Sequence, residues 1–215
     1  MKNLSFSLFN VVSLFSLVLL VILIVLPFNL INLEQAERIA KWKAEYEKLS
    51  YSFSLVNLHE GKIIPIQTDT GKIITDEFIL EFLSPYFDLT GDVGFEIPKY
   101  KYRKMNGQFV HKTDWFYFDK FAQLRNGVLI GIKEAGDRQN IKENNEEPVL
   151  YNMFVDINGN KRPNRIGQDI FFISIFRNHI TALGEGKTHA RLKADCSPIG
   201  SGLYCSQYYL LGGQF

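Results

Sequence analysis

LFSLVLLVILIVLPF, residues 14–28, followed by EQAERIAKWKAEYEKLSYSF, residues 34–53, decides the fold. The first stretch holds one polar residue, Ser16, and no Asp, Glu, Lys, Arg or His occurs from Leu4 to Leu33. A helix rises about 1.5 Å per residue, so this run is long enough to cross a hydrocarbon core of about 30 Å. The second stretch has no Gly or Pro. In it and just beyond, Ile39, Trp42, Tyr46, Leu49, Phe53 and Val56 recur at spacings of three and four, one stripe of a helix. Lys41, Lys43, Glu45, Glu47 and Lys48 lie between them as an expected solvated face. The stripe reads as packing against the chain's own domain or as a seam for another helix. Trp, Tyr and Phe are bulkier than a two-stranded seam wants, which favours the first. Pro27 should bend the helix without ending it. The expected division is therefore an anchor over 1–33 and a soluble domain over 34–215.

A cleaved signal peptide is the competing reading of the apolar run. Signal cores are about 7 to 15 residues long and end at a small-residue site. This run is longer, and its exit PFNLINLEQAE has no clear small-x-small site, so an uncleaved anchor is the expectation. Arg38, Lys41 and Lys43 follow the run closely, against Lys2 and the α-amino group before it. Counted alone, those charges place the C-terminal domain in the cytoplasm.

The chain has 215 residues, of which the part after the run is the size of one domain. Its net charge of +1, from 24 basic and 23 acidic residues, offers no electrostatic footprint for nucleic acid. The two cysteines, Cys196 and Cys205, suit one disulfide closing a short loop in an oxidising compartment, or two inert thiols in a reducing one.

Past the stripe, Gly61 suits a left-handed helix cap. Residues 62–89 read as an extended piece with a turn at Asp69–Gly71, then a short helix near Asp76 to Leu83 stopped before Pro85. Thr90 to Asn106, rich in Gly, Pro and Lys, reads as a surface loop. WFYFDKFAQL and VLIGIKEA flank Arg125-Asn126-Gly127, a strong hairpin signal. PVLYNMFVD and DIFFISIF then supply two more strands across a turn and a Pro-bearing loop. Short connections imply an antiparallel meander with the helix stripe on one face, an α+β fold.

The stretch VDINGNKRPNRIGQDIFFISI, Val155 to Ile175, resembles a block found in pilin-like proteins of bacterial type II secretion and type IV pilus families. Asp156, Asn158, Gly159, Pro163, Asn164, Gly167, Asp169 and Phe171 fit its pattern D-x-N-G-x-x-x-P-N-x-x-G-x-D-x-F, and two cysteines follow as they do there. The resemblance implies a pilin-like fold, in which a long N-terminal helix is half in the membrane and half packed on the sheet. It implies a pseudopilin-like, non-catalytic subunit of a secretion or pilus-type assembly. Such a subunit would be anchored as a signal-anchor protein in the bacterial inner membrane, with its domain periplasmic or extracellular and other pilin-like or secretion-machinery subunits as partners. The N-terminus departs from the pattern: MKNLSFSLFNVVSLF has no Gly, and no Glu precedes Glu34. A single-pass membrane protein with an extracytoplasmic ligand-binding or sensor domain is the alternative expectation.

Asp156-x-Asn158-x-Asn160 opens like a calcium loop, with hard oxygens at alternate positions and Asp169 as a further carboxylate. Calcium in a C-terminal loop is also what the resemblance to pseudopilins implies. The other reading is a turn in which Asp156 and Asn158 bond their own backbone and Gly159 takes positive φ. With only two carboxylates in view, the turn is the expectation. No catalytic residue is assigned and no other cofactor is expected. His59, His111, His179 and His189 have no zinc spacing, and no G-x-S-x-G, P-loop or G-x-G-x-x-G is present.

Overall fold

The computed structural model describes residues 2–61, 82–97, 100–135 and 147–214, with the side chains of 2–10, 23–32 and 91–93 outside that description. Two compact units result, Met1–Arg38 and Ile39–Phe215. Helix α1, Lys2–Glu60, contributes to both, and helical backbone continues through Pro27.

Within the first unit every residue from 11 to 22 is exposed, Phe15 to 69%. The Ser16 hydroxyl donates to the Val12 carbonyl at 3.0 Å, which keeps the one polar group of the run inside the helix's own hydrogen bonding. Among the described residues no helix is long and apolar enough to cross a membrane. The expected spanning segment, Leu4 to Ile31, falls in part on side chains outside the description.

The second unit is built on one six-stranded sheet, a meander in strict chain order. Its strands are β1 (Leu89–Glu96), β2 (Lys120–Leu124), β3 (Leu129–Glu134), β4 (Tyr151–Asp156), β5 (Ile170–Ile175) and β6 (Ile180–Ala182), all paired antiparallel. Helices α2 (His189–Asp195) and α3 (Cys205–Leu210) follow. The chain is thus α+β, as expected, with two strands more than its sequence announces. β1 lies where a surface loop was expected. Gly91 and Gly94 mask it in the sequence, and its pairing with β2 shifts register between Thr90 and Phe95. β6 is too short, at three residues, to carry a periodic signal.

The α1 stripe lies on one face of this sheet. Trp42, Leu49, Phe53 and Val56 are buried there, with Ile39 and Tyr46 partly buried at the margin. Alternate residues Tyr151, Met153 and Val155 of β4 and Phe171, Ile173 and Ile175 of β5 meet them. Trp42 stacks on Phe171 with centroids 4.5 Å apart, and its Nε1–H donates to the Ser206 carbonyl at 2.9 Å. One side chain therefore ties α1 to β5 and to α3. Glu45 is not on a solvated face as expected: it is 3% exposed, one turn from Trp42 and Leu49. Its carboxylate accepts both an ammonium hydrogen bond from Lys48 at 3.0 Å and the Asn126 amide at 2.9 and 3.0 Å, docking the β2–β3 turn on the helix. Gly61 ends α1 at φ +67°, its N–H donating to Asn57 O at 3.0 Å.

The opposite face is covered as well. Phe121, Phe154 and Phe172 point there and meet Tyr102, Phe116 and Phe118 from the segment between β1 and β2. Phe154 and Phe172 sit directly opposite each other in the ladder, ring centroids 5.9 Å apart. Gly131 leaves room for this layer, since a Cβ there would lie 3.1 Å from the Phe118 ring and 2.9 Å from a backbone oxygen. Burial on both faces explains why β4 and β5 read as continuous apolar runs and not as alternating ones.

Of the sequence expectations for 62–89, the extended piece, the Asp69–Gly71 turn and the Asp76 cap lie outside the described residues. Phe82 and Leu83 are helical and pass into a turn, with Tyr86 and Phe87 donating to Leu83 O.

Candidate functional site

The β2–β3 and β4–β5 connections meet at one end of the sheet. In the first, Leu124 and Val128 close a three-residue loop, with Gly127 at φ +87° as its left-handed member. In the second, Asp156 ends β4 and accepts the Asn158 N–H at 3.1 Å, the Asx turn expected of it. Gly159 follows at φ +69°, where a Cβ would come within 2.6 Å of the Gly127 carbonyl oxygen. Only a glycine lets the two turns touch.

Asp169 is the hub of the longer loop. It is wholly buried and accepts the backbone N–H of Asn164 at 2.7 Å, that of Arg165 at 2.6 Å, and the Asn158 amide at 3.1 Å. These charge-assisted bonds hold Asn164 at φ +49° beside the cis Arg162–Pro163 peptide. Arg103 joins from outside: its N–H donates to Asn164 O and its carbonyl accepts the Ile166 N–H. At the far end of the loop Gly167 packs on the disulfide, since a Cβ there would be 2.5 Å from Cys205 Sγ, and the Tyr209 hydroxyl donates to Gly167 O at 3.0 Å. Cys196 and Cys205 are bonded, Cα atoms 4.8 Å apart.

Asp156 shares its other oxygen with the Tyr100 hydroxyl. Burial, reinforced by the nearby Asp169 charge, outweighs that hydrogen bond and pushes the Asp156 carboxyl up to about 8. Burial and the Asp156 charge together raise the Tyr100 hydroxyl. Asp156 is therefore held toward its neutral form while Asp169 sits among N–H donors: two neighbouring carboxyls placed in different environments.

Of the four residues proposed for calcium, the loop gathers Asp156, Asn158 and Asp169, and leaves Asn160 exposed outside the network. The carboxyl oxygens of Asp156 and Asp169 accept from the chain's own N–H and O–H groups. The buried oxygens with no hydrogen-bond partner among the described residues are amide oxygens, which include Asn158 Oδ1 and Asn164 Oδ1. A calcium sphere needs six to eight oxygens with charge to match the ion. The loop brings two carboxylates to this place, Asp156 and Asp169, both hydrogen-bonded within the chain. Among the described residues no group of three or more His, Cys, Asp or Glu is placed to hold a metal.

The histidines take unrelated partners. His179 stacks on Phe176 at 4.5 Å and faces Glu147 at 3.7 Å. His111 meets Asp114 through its backbone N–H, at 3.0 Å, and not through its ring. His59 lies by Tyr86, and His189 by Tyr208.

One feature of the second unit has no counterpart in the sequence expectations. A cleft of about 600 Å³ opens on the aromatic side of the sheet, lined by Tyr100, Tyr102 and Tyr117 with charged side chains around them. The signal for it was the aromatic density of YKYR and WFYF, residues 100–103 and 115–118. No protein-family model matches the chain, and neither a curated protein nor a solved structure does.

Proposed function

We propose that the chain is a membrane-anchored, pilin-like subunit of a secretion or pilus-type assembly, acting by interaction and not by catalysis. The observation that carries this reading is α1. A 59-residue helix has a charge-free apolar sequence in its first part, and its later part lays one bulky stripe on an antiparallel meander. The pilin-like block supports it in a second way. In this chain Asp156, Gly159, Asn164, Gly167 and Asp169 fix a loop that joins two turns to the disulfide, a structural use of those residue types that needs no substrate.

Leu4 to Ile31 anchors the protein in the bacterial inner membrane, and the domain lies on the periplasmic or extracellular side. The Cys196–Cys205 bond supports an oxidising compartment. Without a Glu before Glu34 the anchor has no buried charge to pair, so contacts with other subunits fall to the soluble half. Tyr51 and Leu58, exposed to 66% and 76% on α1, are where such contacts would be sought.

A reporter active only outside the cytoplasm, fused after Phe215, combined with a photo-crosslinking residue at position 51 and, in a second variant, at position 58, tests both parts. The expected outcome is an active fusion and discrete crosslinks to other membrane-anchored subunits. An inactive fusion with free thiols at Cys196 and Cys205 overturns the orientation, and an active fusion without crosslinks at 51 or 58 overturns the assembly role.

A further inference from the structure

The aromatic cleft is of the size that small-ligand sites have, about 600 Å³. We propose that it binds a neutral oligosaccharide. The inference stands on the cleft alone and holds whether or not the protein assembles.

Its ring surfaces are preorganised. The Tyr102 hydroxyl donates to Phe116 O at 2.8 Å and accepts the Phe118 N–H at 2.7 Å, while the Tyr100 hydroxyl is taken by Asp156. Neither ring swings out without breaking a buried hydrogen bond, and neither hydroxyl is offered to a ligand. What the half-buried Tyr100 and Tyr117 present is ring surface, with Tyr102, 2% exposed, packed against both. Tyr102 and Tyr117 lie nearly parallel, at 13°. A pyranose carries a face of C–H bonds that meets such rings well, and buries it without requiring a charge.

The rim selects against ions. Lys101 and Lys112 are balanced by Glu96 and Asp119, all four exposed, with His111 completing the ring of polar groups. A small anion entering here would lie beside two carboxylates, and a small cation beside two ammonium groups. A ligand with no net charge and many hydroxyls satisfies both sets, donating to the carboxylates and accepting from the lysines.

The test uses the full chain with its disulfide intact, in a zwitterionic detergent without a sugar headgroup. Cellotetraose, maltotetraose and chitotetraose are added at millimolar concentration and read by saturation-transfer-difference NMR. The expected result is transfer to the ring C–H protons of at least one of the three, with affinity weakened at least tenfold by Tyr117→Ala and by Asp119→Asn. Asp119 is exposed, so its variant remains informative if Tyr117→Ala fails to fold by circular dichroism. Absence of transfer from all three overturns the proposal. So does affinity unchanged in the folded variants, or tighter binding of an acidic tetragalacturonate than of every neutral probe.

Discussion

At the scale of single residues, Asp156 makes the sharpest claim. Burial pushes its carboxyl up to about 8 in the folded chain, from the ordinary carboxylate range of about 4. The folded state thus holds a proton that the unfolded chain has released, so this group's contribution to stability declines as pH rises from about 4 to about 8 and is level above that. Asp156→Asn keeps an oxygen for the Asn158 N–H and a neutral group beside Tyr100. Thermal melts from about pH 5 to pH 8 should show the parent protein losing stability while the variant stays flat, a gap of about 2 kcal/mol or more at the alkaline end. Parallel curves would refute the burial of a neutral Asp156. Asp169→Asn should behave oppositely. It replaces one of two acceptor oxygens by an NH₂ facing backbone N–H groups, and should cost about 2 to 4 kcal/mol in urea titrations at pH 7. The turn made by Asp156, Asn158 and Gly159 was legible in sequence because its bonds span two or three residues. Tyr100, 56 positions from Asp156, was not, and neither was Glu45, 81 positions from Asn126.

At the scale of elements, the α1 stripe was legible because helical spacing is local information, whereas the identity of the surface beneath it was not. Trp42 shows how much rests on one position of that stripe. Trp42→Ala should remove the ring stacked on Phe171 and orphan the Ser206 carbonyl, costing about 3 to 5 kcal/mol. Trp42→Phe keeps an aromatic ring but not the N–H, and should cost about 1 to 2 kcal/mol. Equal losses in the two variants, measured by chemical denaturation, would mean that the hydrogen bond and not the packing fixes α1. The strands divide in the same way. β2 and β3 announce themselves through their turn, and β4 and β5 through apolar runs. β1 exists only because Leu89 and Phe95 find Leu124 and Phe121 across the ladder, a pairing no window of its own sequence contains.

For the second unit as a whole, the sheet is held from three directions: α1 on one face, the aromatic segment on the other, and the C-terminal helices with their disulfide at the loop that joins β4 to β5. The last of these is the weakest link in sequence terms, since α2 and α3 are short, seven and six residues, and a helix of that length is marginal without tertiary contacts. The Cys196–Cys205 bond closes a loop with a sequence separation of 9, worth about 2 to 3 kcal/mol in the chain-entropy account. Because Gly167 packs on Cys205 and Tyr209 bonds Gly167 O, that constraint reaches the loop and, through Asp169, β4 and β5. Replacing both cysteines by serine should therefore lower stability by that amount and do so unevenly. Hydrogen exchange should quicken most over 189–210, next over 156–169, and least at the centre of β4 and β5, whose amides lie between two covered faces. Uniform acceleration across the sheet would show that the C-terminal helices fold with it as one cooperative unit, and that the disulfide acts on the unfolded chain alone.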